Sequence, residues 1–181
     1  MAPSAQASPK DVDAVVSDSL PDRELAFVGL GSNLDDPERQ VNRAFELLDN
    51  IESTDLIDRS SLYRSAPFGS VAQPDFINAV ACLRSTLAPM VLLNELHHIE
   101  RSSGRKRGVR WGPRTLDLDL LVFGDHEIDQ KGITLPHPGI AERNFVLLPL
   151  TEIAPKLIIP GLGRVSELAV DRDEPHISRI D

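Results

Sequence analysis

Short apolar runs alternate along the chain with stretches whose apolar residues recur at helical spacing, and that alternation predicts the elements. LAFVGLG (25–31) reads as a buried-type strand ending in glycines. SNLDDPERQ opens a helix, with Asp36 the expected N-cap and Pro37 at the first helical position. Val41, Ala44, Phe45 and Leu48 form its apolar face. DLIDRSSLYRS (55–65) and DFINAVACLRS (75–85) read as two strands around the loop APFGSVAQP. Thr86 is the expected cap of a second helix, which carries Pro89 in its first turn, buries Leu92, Leu93, Leu96 and Ile99, and stops at Gly104. TLDLDLLVF (115–123) is the next strand. The order β-α-β-β-α-β predicts an α+β, ferredoxin-like core with an antiparallel sheet and both helices on one face. Beyond it, EID (127–129) and ITLP (133–136) suggest a small hairpin, NFVLLPLTEIAP a short helix, and the residues from 160 onward a polar tail.

The length of 181 residues suits one domain, expected over 24–181. Residues 1–23, rich in Ala, Ser, Pro and Asp, are expected to form a disordered tail. A hydrophobic content of 41% excludes a largely disordered chain. No apolar run approaches the roughly 20 residues of a membrane span. The first residues lack the basic-then-apolar pattern of a secretory signal. The lone cysteine, Cys82 within FINAVACL, fits a reducing cytoplasm and reads as a buried structural thiol. These features predict a cytoplasmic monomer with no membrane partner.

Charge changes the picture. A formal net charge of −9 argues against anionic partners, yet RSSGRKRGVRWGPR (101–114) holds six basic residues and no acidic one. An acidic protein with one concentrated basic loop suits a small polyanion, whereas a nucleic-acid binder shows a broader basic face. Several arginines in a glycine-containing loop are the usual grip on a triphosphate.

Directly after that loop, Asp117 and Asp119 sit in a leucine-rich strand. Leu116, Leu118 and Leu120 share one face; the two aspartates share the other, their Cα atoms ~7 Å apart. Like charges that close repel unless a cation lies between them, and Mg²⁺ takes carboxylate and phosphate oxygens together. A surface strand with leucines inward and aspartates outward has the same pattern, but aspartate is a poor strand former and two of them ask for a reason. GLGSN (29–33) satisfies neither nucleotide-loop fingerprint and reads as a tight turn with close backbone approach. Of the histidines, His137 stands out, six residues before Arg143 and able with it to reach phosphate oxygens. Phe68, Phe76 and Phe145 fall near loops; two of them facing each other can stack on a flat heterocycle that Asn78 would orient.

GLGSN, SLYRSAPFG…QPDFINAV, RWGPRTLDLDLLVFG and LPHPGIAERNFVLLPL, in that order, closely resemble the 6-hydroxymethyl-7,8-dihydropterin pyrophosphokinases of the folate pathway. The likeness runs from about Leu25 to about Pro160, and RWGPRTLDLD is its most specific part. It implies transfer of the two terminal phosphates of ATP to the hydroxymethyl group of a dihydropterin, releasing AMP. By the family's pattern two Mg²⁺ ions are held by Asp117 and Asp119, and Arg105 and Arg114 join them as catalytic residues. The resemblance places ATP against Glu100, Arg107, Arg110, Trp111, Arg114, His137 and Arg143. It places the pterin between Phe76 and Phe145, bonded to Asn78, with Ser65, Phe68 and Gly31 nearby. Phe76 stands where the family often has tyrosine, which keeps stacking and loses a hydroxyl. Other classes account for less of the sequence. A nucleic-acid-binding module of this fold needs sheet aromatics in a pattern that is absent. A phosphohydrolase using the same aspartates would consume ATP without any pterin.

Overall fold

The computed structural model describes residues 23–67, 72–104, 113–168 and 175–180. In it β1 (Glu24–Ser32), α1 (Pro37–Asp49), β2 (Thr54–Arg59), β3 (Leu62–Ser65), β4 (Phe76–Ser85), α2 (Pro89–Ser102) and β5 (Asp117–Phe123) follow in the expected order. The hairpin β6 (Ile128–Gln130) and β7 (Ile133–Leu135) comes next, then α3 (Asn144–Ile153). A second hairpin, β8 (Ile158–Ile159) with β9 (Gly163–Arg164), leads to a 3₁₀ turn at Val165–Glu167 and to β10 (Ile177–Ile180). The expected tail lies outside the described residues except for Arg23, which pairs with Asp55.

Six strands form one antiparallel sheet in the order β10-β3-β4-β1-β5, with β2 also pairing β4. This is the predicted ferredoxin-like order, with the second strand split into β2 and β3. At the split, the Ser60 N–H donates to Val80 O and its Oγ accepts the Val80 N–H, each at 2.9 Å, so the β4 backbone stays satisfied through the break.

Alternation within each strand divides the sheet into two faces. Ala26, Val28 and Leu30 of β1, Ile77, Ala79, Ala81 and Leu83 of β4, and Leu118 and Leu120 of β5 join Val41, Ala44, Phe45 and Leu48 of α1 and Leu92, Leu96 and Ile99 of α2 in the main core. Each of these leucines contributes about 1.5–3 kcal/mol through burial. The opposite face carries a smaller core: Phe27, Val80, Cys82, Leu121 and Val122 against Val146, Leu147 and Leu150 of α3, with Ile159 and Val165. A register shift between Phe27 and Val28 lets both Leu121 and Val122 turn to this side. Burial pushes the Cys82 thiol up to about 11, in keeping with a structural role.

Two expectations need correction, and a third holds with an unexpected geometry. Thr86 does not cap α2: the N-cap is Ala88, held extended at ψ 150° by the following Pro89, so the helix cannot begin earlier. Asp36 occupies the N-cap of α1 but in a left-handed conformation at φ 63°, with no side-chain cap bond. The residues beyond 160 are not simply a polar tail, because β10 adds to the free edge of β3.

Candidate active site

On the α3 side, beyond the smaller core, the sheet is left uncovered and a cavity of about 280 Å³ opens. Its floor follows from strand register. Gly31 lies between Asn78 of β4 and Asp117 of β5, and Gly29 lies between Val80 and Asp119. The two glycines therefore leave bare main chain beside each carboxylate. A side chain at Gly29 would meet Leu121 at 3.5 Å, and one at Gly31 would meet Asn78 Oδ1 at 3.6 Å.

The paired aspartates face this cavity, opposite the leucines that anchor β5. Asp117 is ion-paired with Arg114, and Asp119 lies 3.8 Å from Arg143 Nη1. Burial in the concave site, then the negative charge of Asp117, raise the Asp119 carboxyl above its ordinary range; His137, Arg143 and Arg114 only partly oppose this. Burial and the neighbouring Asp117 charge thus disfavour the ionised form of Asp119, although Arg114 and Arg143 lie beside the pair. No third His, Cys, Asp or Glu groups with it to form a cation site among the described residues. Two hard oxygen donors with open positions suit a divalent cation that keeps water or phosphate oxygens in the rest of its shell.

His137 is tethered at both ends of its residue. Its N–H donates to Leu121 O at 2.8 Å, and its Nδ1 accepts the Gly139 N–H at 3.0 Å. The neutral ring therefore carries its proton on Nε2. Burial lowers the pKa of His137, with Arg143 adding to that effect and Asp119 opposing it. A side chain at Gly139 would meet Arg143 Nε at 2.7 Å, so the guanidinium packs against bare backbone there.

Gly31, Ser65, Phe76, Arg114, Asp117, Asp119, His137, Arg143 and Phe145, all singled out from the sequence, line this same cavity. Asn78 is buried beside it and donates to Ser65 Oγ at 2.9 Å. Glu100 is buried at the end of α2, outside the cavity lining, and accepts the Leu118 N–H at 2.8 Å. Phe68, Arg105, Arg107, Arg110 and Trp111 lie outside the described residues.

Sequence reasoning missed Gln73, which lines the cavity, and the role of Asn33. Buried Asn33 exchanges backbone and side-chain bonds with Arg114, at 3.0 Å from its N–H and 2.8 Å to its Oδ1. Its Nδ2 donates to Gln73 Oε1 and Pro74 O, both at 3.1 Å. Ser32 Oγ donates to Thr115 O at 2.6 Å, fixing the same approach to β5. Asn33 lies within the quoted GLGSN, but its partners are distant in sequence and no local pattern marks them.

A family model described as 7,8-dihydro-6-hydroxymethylpterin-pyrophosphokinase (HPPK) matches residues 27–155. A 2-amino-4-hydroxy-6-hydroxymethyldihydropteridine pyrophosphokinase of Haemophilus influenzae is 43% identical over 143 residues, 79% of this chain and 89% of that protein. Its counterpart in Pseudomonas aeruginosa is 44% identical over 145 residues, 80% of this chain and 90% of that protein. Among solved structures, Plasmodium falciparum HPPK-DHPS with SDX-DHP has a TM-score of 0.68 at 15% identity, over 83% of this chain and 44% of that one. That likeness is one of fold, and this chain spans less than half of the longer protein.

Fold, cavity and relatives together define the class as an α+β transferase of the kinase type. Within that class the chain belongs to the 7,8-dihydro-6-hydroxymethylpterin-pyrophosphokinase family, enzymes of folate biosynthesis. No helix among the described residues is long and apolar enough to cross a membrane.

Proposed function

We propose that the chain transfers the terminal diphosphate of ATP to the hydroxymethyl oxygen of 6-hydroxymethyl-7,8-dihydropterin. The new bond joins that oxygen to the β-phosphorus, and its hydroxyl proton is released to water; the bond from the β-phosphorus to the bridging oxygen of the α-phosphate breaks, and AMP leaves with that oxygen. The observation that carries the reading is the pair Asp117 and Asp119, side by side in a cavity that Phe76 and Phe145 also line. In this reading the ring lies between the two phenylalanines, oriented by Asn78 and by the Gly31 backbone. Arg114, His137 and Arg143 hold phosphate oxygens, and His137 does so as an Nε2–H donor. Asp117 and Asp119 hold Mg²⁺, which when bound offsets phosphate charge. Arg105, Arg107, Arg110 and Trp111 would add further contacts to ATP.

Phosphorus NMR of the protein with ATP, Mg²⁺ and the pterin tests this. AMP and a pterin diphosphate appearing together are the expected products. ADP with a phosphate monoester would overturn the two-phosphate transfer, and ATP consumption without pterin would favour a hydrolase.

A further inference from the structure

Residues 175–180, which end in β10, lie beyond the residues matched by the family model, yet they touch both walls of the cavity. On one wall, β10 pairs with β3, placing Ile177 opposite Ser65, and the Ala66 N–H donates to His176 O at 3.0 Å. Ser65 and Ala66 both line the cavity. On the other wall, the first residue of α3, buried Asn144, donates from Nδ2 to Pro175 O at 2.7 Å. Its neighbours in sequence, Arg143 and Phe145, line the cavity too. The far end of α3 is held to the same edge: Glu152 accepts from Ser61 and from Tyr63 Oη at 2.8 Å, and lies 3.8 Å from Arg179 of β10.

We propose that residues 175–180 form a strap that sets the spacing between the Ser65–Ala66 wall and the Arg143–Phe145 wall, with Asn144 as its positioning residue. Two adjacent carbonyls of one extended segment, those of Pro175 and His176, each hold one wall. A helix anchored at its first residue by a side chain cannot slide relative to the sheet edge without breaking that bond. The strap therefore acts on how well a flat ring fits between the walls, not on the charged groups around Asp117 and Asp119. The ligand's identity rests on the pterin reading above; the coupling between the walls does not.

The test uses the full chain and its Asn144→Leu variant, which is close to asparagine in size but cannot donate to Pro175 O. Two readouts are taken: hydrogen exchange at the Ala66 amide without ligand, and calorimetric affinity for 6-hydroxymethylpterin, with kcat and KM recorded alongside. Loss of one buried hydrogen bond predicts about a tenfold effect on each of the first two. KM for the pterin should rise by a similar factor, and kcat should fall less than about threefold. Asn144→Gln, which can donate again, should restore part of both losses. If Ala66 stays protected in Asn144→Leu, the two walls are not coupled and the strap is rejected. If Ala66 loses protection and pterin affinity holds, the strand closes a sheet edge and nothing more. A wild-type protein that binds no pterin would sink the substrate reading, and Ala66 exchange alone would then decide the strap.

Discussion

The two faces of the sheet come from the same strands and the same alternation, and they answer to different physics. Toward α1 and α2, β4 and β5 present Ile77, Ala79, Ala81, Leu83, Leu118 and Leu120, all buried. Toward the open side they present Phe76, Asn78, Asp117 and Asp119. The first face lowers the free energy of the fold by removing apolar area from water. The second keeps two carboxylates side by side although burial and mutual repulsion oppose it. Stability and chemistry are thus separated by one residue along a single strand.

That separation can be broken from either side. Asp117→Ala or Asp119→Ala should lower diphosphate transfer by at least roughly 1,000-fold while circular dichroism and melting stay near wild type. Near-normal Mg²⁺-dependent turnover in either variant would end the shared-cation reading. One step along, Leu118→Ala should do the reverse. It should lose about 2–4 kcal/mol in denaturant titration, and the folded fraction should keep its KM values. Next in size, Phe145→Ala should raise the pterin KM roughly tenfold with less than threefold effect on the ATP KM. An equal rise in both would mean that Phe145 does not stack on the ring.

Two smaller effects sharpen the contrast through pH. Burial pushes Glu152 up, but its bonds from Ser61 and Tyr63 outweigh this and hold its carboxyl below the ordinary range. A depressed carboxylate contributes stability above its unfolded pKa and loses it as pH falls through the folded value. Glu152→Gln should therefore cost about 1 kcal/mol at pH 7, and the gap to wild type should shrink on acidification below about pH 4.3. A gap that persists unchanged into acid would show that the loss is one of packing. Asp119 is raised, so its sign is opposite: the ionised form is the one the fold disfavours. In chelator at pH 7, Asp119→Asn should melt about 1–3 °C above wild type. That advantage should fade as acid protonates the wild-type carboxyl.

The helix-packed face was legible because burial imposes a period. Val41, Ala44, Phe45 and Leu48 announce a helix, and Leu116, Leu118 and Leu120 announce a strand face, without knowledge of what they touch. The aspartates were legible by contrast, as charges in a strand that had no local use for them. What stayed hidden depends on partners far away in sequence. Asn33 bonds Gln73, Pro74 and Arg114, and β10 pairs with an edge more than a hundred residues earlier. A four-residue strand with one buried side chain carries too little pattern to be seen alone. Glu100 was marked by resemblance only, and its nearest described role, receiving the Leu118 amide, needed coordinates. Ala88 shows the converse: the start of α2 followed from the proline after it, a rule that outranks a plausible threonine cap.

The bare floor at Gly29 and Gly31 bears on drug resistance. A compound that rests on those two residues touches main chain, whose groups no point mutation replaces. The chain can dislodge it there only by growing a side chain from the floor, since neither glycine adopts a left-handed conformation that would forbid one. In the proposed reading any such side chain would also occupy the substrate's place. Inhibitors that spend their contacts on this floor, in preference to the phenylalanines, leave the enzyme the narrowest route of escape.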